Sequence, residues 1–133
     1  MAIEFAAVFV LFFGIFYATV SYAFPLLLSQ AMNVAVAEGA RAALAVAPEV
    51  EEYHDRLQEV ARERTHDYLE ESLMVALFPG DFAISADVDD GVLRVEAAYD
   101  YDAAPLIIPL QLPLIGTVPR LPDQLRAVSS IEL

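Results

Sequence analysis

With 133 residues, no cysteine and a formal net charge of −13, the chain has room for one modest domain and can form neither disulfides nor thiolate metal sites. All seven basic residues are Arg, and the acidic excess argues against nucleic acid as a partner, because that binding rests on neutralising phosphates. It argues equally against docking on anionic lipid heads, and for a surface that keeps a crowded or secreted object soluble.

Met1 to about Val46 reads as one long helix. Residues 5–37 contain no Asp, Glu, Lys, Arg or His, and an apolar run of this length is a transmembrane candidate. About 33 residues at 1.5 Å each give roughly 50 Å of helix, more than a hydrocarbon core of about 30 Å requires. From Phe5 to Tyr22 the helix is apolar nearly all round, which demands burial on every side, in lipid or among other helices. Ala6, Ala7, Gly14, Ala18, Ser21 and Ala23 are small enough to let helices approach closely. Pro25 predicts a kink or a locally unwound segment. From Ser29 onward Gln30, Asn33, Glu38 and Arg41 appear among Ala and Val, as in an amphipathic helix leaving the apolar zone and packing on a soluble part. The chain therefore divides into a hydrophobic assembly or transmembrane helix, residues 1–28, and an acidic α+β head, residues 29–133, that includes the second half of the long helix.

Ala47-Pro48-Glu49 marks a boundary, and a second, amphipathic helix is expected to about Phe78, where Pro79-Gly80 stops it. Its inner face is predicted to carry Val50, Tyr53, Leu57, Val60, Ala61, Tyr68, Leu69, Leu73 and Leu77. The period then changes to two. Phe82, Ile84, Ala86 and Val88 share one face of a strand, Asp89-Asp90-Gly91 is a hairpin turn, and Val92 to Tyr101 is the return strand. Leu106 to Pro122, with Pro109, Pro113, Pro119 and Pro122 among Leu and Ile, cannot be a central strand and reads as an extended apolar loop laid over a surface. Gln124 to Leu133 reads as a third strand with Leu125, Ala127, Ser129 and Ile131 on one face. The expected fold is α+β: a long protruding hydrophobic helix, a second helix and a small antiparallel sheet, together lollipop-shaped.

Residues with chemical potential are few. His54 and His66 lie about 120° apart on the second helix and cannot share a ligand. Glu63-x-x-His66 has the spacing of a di-iron helix but lacks the second motif and the facing carboxylates such sites need. Asp87 to Gly91 is better read as a turn than as a calcium loop, since no bidentate Glu follows at the required distance. There is no nucleophile elbow and no phosphate-binding Gly loop, so neither an enzyme nor a cofactor is expected. The aromatic density of the first helix, Phe5, Phe9, Phe12, Phe13, Phe16, Tyr17, Tyr22 and Phe24, is read as helix packing and not as an electron path. Glu4 stands apart, because a carboxylate at the edge of a long apolar block is costly to bury unpaired. No basic residue precedes the apolar block, so a removed basic leader is expected.

Ala2-Ile3-Glu4-Phe5-Ala6, Phe13-Gly14-Ile15, Glu38-Gly39-Ala40-Arg41-Ala42-Ala43 and the late Val95-Glu96-Ala97-Ala98-Tyr99-Asp100-Tyr101 ahead of a Pro-rich segment together resemble TadE-like pilins of tight-adherence (Tad) systems, within the type IV pilin superfamily. The resemblance implies a structural subunit that inhabits the inner membrane as a precursor. It also implies leader removal by a prepilin peptidase, passage through an inner-membrane platform, and assembly with copies of itself, alongside minor pilins, into an extracellular pilus. The alternative it leaves open is a minor pseudopilin that acts in pilus assembly at the inner membrane. In the superfamily the acidic residue near the mature N-terminus meets the terminal amine of a neighbouring subunit. The resemblance therefore assigns Met1, Glu4, Phe5, Gly14 and Pro25 to assembly. An amine and a carboxylate that satisfy each other only at one axial stagger would set register between copies.

Overall fold

The computed structural model describes residues 1–112 and 115–133, so Pro113 of the expected apolar loop lies outside the described residues. Helix α1 runs without interruption from Ala2 to Ala43, about 63 Å at 1.5 Å per residue. Pro25 lies inside it and is fully buried, so the segment is not unwound there. The missing proline N–H removes the donor that would meet the Ser21 carbonyl one turn back. In that same turn the Ser21 hydroxyl donates to the Tyr17 carbonyl at 2.7 Å, and Thr19 donates to Ile15 at 2.8 Å. The Thr19 and Ser21 hydroxyls are thus satisfied within the helix, as an apolar medium demands.

Helix α2 spans Tyr53–Glu71, shorter at both ends than its apolar pattern predicts. At the start, residues 44–52 form turns that reverse the chain, with Glu52 in the left-handed region (φ 57°) immediately before the helix. At the end, Leu57, Ala61, Thr65 and Leu69 form a buried stripe at four-residue spacing. Continued as an α-helix, that stripe would bury Leu73 and Leu77, which are instead 89% and 51% exposed. Ser72 turns extended, and a short 3-10 turn, Val75–Leu77, rotates Val75 and Phe78 into the core in their place.

Strands β1 (Phe82–Asp89), β2 (Val92–Asp100) and β5 (Gln124–Glu132) form an antiparallel sheet in the order β1-β2-β5. Asp90 and Gly91, both at positive φ, make the two-residue turn between β1 and β2. The register lines up Val88, Leu93 and Ile131, then Ala86, Val95 and Ser129, then Ile84, Ala97 and Ala127, then Phe82, Tyr99 and Leu125. This is the face predicted from period two, and it packs on both helices to form the core with Leu28, Met32, Ala35, Val36, Ala40 and Leu57. The opposite face carries the Glu96–Arg126 ion pair at 3.1 Å.

The two helices meet closely because their contact residues are small. A methyl group added at Gly39 would stand 2.0 Å from the Thr65 hydroxyl and 2.6 Å from the Ala61 carbonyl, two atoms already hydrogen-bonded to each other at 2.7 Å.

The Pro-rich stretch after β2 contains regular structure that period and composition did not reveal. Leu110–Leu112 (β3) and Gly116–Val118 (β4) pair antiparallel as a separate two-stranded arm. Its root is fixed by Tyr99, whose buried hydroxyl accepts from the Gly80 N–H at 3.1 Å and donates to the Ala104 carbonyl at 2.7 Å. Burial pushes the Tyr99 phenol above its usual value of 10.0; the Gly80 hydrogen bond opposes this and nearby Asp100 adds to it. Burial raises Tyr101 likewise, and the backbone at Ile107 and Leu106 offsets it only in part. The Tyr101 hydroxyl is enclosed without a well-formed hydrogen bond.

Candidate assembly surface

Helix α1 has two halves with opposite surroundings. From Ser21 to Ala43 one face is buried at Ser21, Pro25, Leu28, Met32, Ala35, Val36, Gly39, Ala40 and Ala43. Before Ser21 none of the described residues is buried. The helix is long and apolar enough to cross a membrane: its most apolar 18-residue stretch has a mean hydropathy of 2.2, and none of its residues is buried.

The exposed half is ordered along its length by aromatic contacts. Phe5, Phe9 and Phe13 stack at four-residue spacing with centroids 6.3 and 6.2 Å apart, and Phe13 continues the row to Tyr17 at 6.3 Å. Phe12 and Phe16 form a second, parallel pair at 6.4 Å. The five phenylalanines remain between 50% and 73% exposed.

The residues assigned to assembly by sequence fall in three places. Met1 and Glu4 lie together at the free end of the helix, the terminal amine 3.8 Å from the Glu4 carboxylate and both side chains open to solvent. The amine and the carboxylate are thus available to a partner. Phe5 opens the aromatic row. Gly14 lies on the other side of the helix, and a methyl group added there would meet nothing within 4 Å. Pro25, buried in the half that packs into the head, is apart from the other four.

Sequence reading did not identify the arm's contact with α1. The Tyr17 hydroxyl donates to the Ile108 carbonyl at 2.5 Å, and the Tyr22 hydroxyl accepts from the Arg120 N–H at 2.9 Å. Between these clasps and the helix lies an apolar groove of about 380 Å³, lined by Val10, Leu11, Gly14, Ile15 and Ala18 from α1 and by Leu112, Ile115 and Val118 from the arm. The signal was present in two tyrosines within an otherwise apolar run, since a tyrosine hydroxyl in such a setting needs a partner.

The polar residues of the head gather into no such site. Among the described residues, no group of three or more His, Asp or Glu is placed to hold a metal ion. His66, exposed, has Glu70 at 3.6 Å and Asp67 at 3.9 Å beside it on its own helix.

A family model described as "TadE-like protein" matches residues 1–41. That stretch is almost the whole of α1 and includes the exposed aromatic rows, Met1, Glu4 and Gly14. No curated protein and no solved structure matches the chain.

Proposed function

We propose, from the match of residues 1–41 to the TadE-like family model, that this chain is a structural subunit of a Tad-type pilus. It polymerises through the first half of α1 once its leader is removed. The observation that carries the reading is the contrast within one helix: a continuous 42-residue rod of which one half is sunk in its own head and the other exposes a row of stacked phenylalanines. Exposed apolar surface of that extent marks a site that something else covers. Before assembly the covering is the hydrocarbon of the inner membrane, and afterwards it is the helices of other copies. The acidic head, by far the more charged part, faces outward.

At the free end, the amine of Met1 and the carboxylate of Glu4 exchange partners between neighbouring copies and fix their axial register. In the isolated chain the pair is open to solvent and contributes little. Between packed apolar helices neither charge is tolerable without the other. The test is Glu4→Ala in a cell that makes the fibre. The variant is expected to insert in the membrane as the native chain does and to be missing from sheared fibres. Unchanged incorporation would rule out the register role.

One observation favours a second reading, a minor pseudopilin that primes or caps the fibre at the inner membrane. The arm occupies one side of α1 beside residues 10–22 and so limits how many helices can surround it. Stoichiometry separates the two: a main subunit forms the bulk of sheared fibres, and a priming subunit appears at a few copies per fibre or stays with the membrane.

A further inference from the structure

The groove beside Gly14 and the row of phenylalanines occupy opposite sides of the same stretch of helix. At 3.6 residues per turn, Val10, Leu11, Gly14, Ile15 and Ala18 centre about 170° round the axis from Phe5, Phe9 and Phe13. The lengths match as well. The row from Phe5 to Phe13 and the groove floor from Val10 to Ala18 each cover about 12 Å of helix. The row is convex and already stacked, so little side-chain freedom remains to be lost on docking. The groove is concave at Gly14, where no side chain fills the space, and is walled by the arm.

We propose that the occupant of this groove is the Phe5–Phe9–Phe13 row of a second copy of the chain, lying parallel and displaced by about five residues, roughly 7.5 Å, along the axis. This rests on the reading of the chain as an assembling subunit and names the surfaces that meet. Phe9 of one copy then lies level with Gly14 of the next.

Two arguments fix the occupant as another copy. The first is symmetry. Row and groove face away from each other, so a closed two-fold dimer cannot engage both. Each copy offers its row to one neighbour and its groove to another, and such heterologous contacts propagate into an open chain. The second is area. Phe5, Phe9 and Phe13, each half or more exposed, offer roughly 350 Å², a little under half of the about 800 Å² per partner of a stable interface, at one of the two contacts each copy makes. The arm is thereby more than a part of the head: Leu112, Ile115 and Val118 form one wall of the socket.

The chain has no cysteine, so single thiols can be placed without background. Full-length Phe9→Cys and Gly14→Cys chains, distinguishable by tag, are expressed together in fibre-forming cells. Membranes and sheared material are then treated with a short bismaleimide. The expected product is the mixed dimer, with neither variant forming its own dimer when expressed alone. Dimers of Phe9→Cys with itself would overturn the proposal, because they require row against row. Sedimentable fibres that contain both variants and yield no mixed dimer would also overturn it, while leaving the filament reading intact. Absence of the chain from any fibre, with the two variants uncoupled, removes both.

As a second test, Gly14→Leu fills the socket from a position where an added first carbon meets nothing within 4 Å. Its circular dichroism and head melting are expected to match the native chain, and its sedimentable fraction to fall at least about tenfold. Native-level sedimentation of a folded Gly14→Leu chain contradicts the proposal.

Discussion

The two halves of α1 share one backbone and a largely apolar composition, yet one buries a face in its own head and the other, touched only by the arm along one side, has no buried residue. What separates them is what packs against them. The buried face of the second half joins Leu28, Met32 and Val36 to the small residues Ala35, Gly39, Ala40 and Ala43, and at Gly39 α2 approaches closely with Ala61 and Thr65. The first half carries five phenylalanines that the head leaves half or more exposed. Hydropathy falls where the second half turns amphipathic, from Ser29 onward. One half is a finished interface, and the other is an apolar surface that the head leaves open.

Glycine substitutions at the two ends of this comparison break it most sharply. Gly39→Val is expected to produce the largest effect, because its first carbon would overlap Thr65 and the Ala61 backbone. Even Gly39→Ala should cost about 1–3 kcal/mol of head stability, read as a lower melting temperature by circular dichroism. Gly14→Ala is the counterpart. It meets no neighbour in the chain and should leave head melting unchanged, with a gain in local helix stability of at most about 1 kcal/mol. A Gly14→Ala chain that melted as low as Gly39→Ala would erase the distinction between the halves.

Tyr99 comes next, since it ties the arm's root to the sheet. Tyr99→Phe removes the acceptor for Gly80 and the donor for Ala104, at a cost of about 1–3 kcal/mol. The same residue sets an alkaline limit. Its folded-state value lies above the ordinary 10.0, so the folded head holds the phenol proton more tightly than the unfolded chain does. The contribution is fully present below pH about 10 and is lost as pH rises through the raised folded value. Melting temperature should therefore hold through mildly alkaline buffer and fall beyond it, and the fall should be smaller in Tyr99→Phe.

The smallest expected effect sharpens the comparison at its boundary. Tyr17→Phe deletes one exposed clasp between arm and helix. It should leave global melting within about 1 kcal/mol, and hydrogen exchange should quicken at residues 108–112 and 116–120 only.

Much of this architecture was legible in the residues. The uncharged run announced α1, period two announced β1, β2 and β5 with their buried faces, and Asp90-Gly91 announced the turn. The rest was decided by tertiary packing that no local pattern encodes. Leu73 and Leu77 extend the apolar period of α2, but the core takes Val75 and Phe78 instead, and the helix ends to let it. Pro25 predicts a kink or an unwound segment, and of the two the unwound one is absent, since α1 stays helical through it. Leu110–Leu112 and Gly116–Val118 are three residues each, too short to show a period, and their pairing follows from the chain turning back over α1. At the candidate surface, Glu4, Phe5 and Gly14 could be singled out from type and position. The socket beside Gly14 could not, because three of its eight lining residues lie about a hundred positions away.

Labelling at one position addresses the central claim, that the first half of α1 is covered by other copies of the chain. A Phe9→Cys chain is recovered from sheared extracellular fibres and, separately, as detergent-solubilised precursor, and both are exposed to a bulky maleimide. The account predicts that the chain is present in the fibres with the introduced thiol protected there, and that the same thiol reacts readily in the solubilised monomer. Equal reactivity in both, or a chain found only as a membrane-bound monomer, would contradict it.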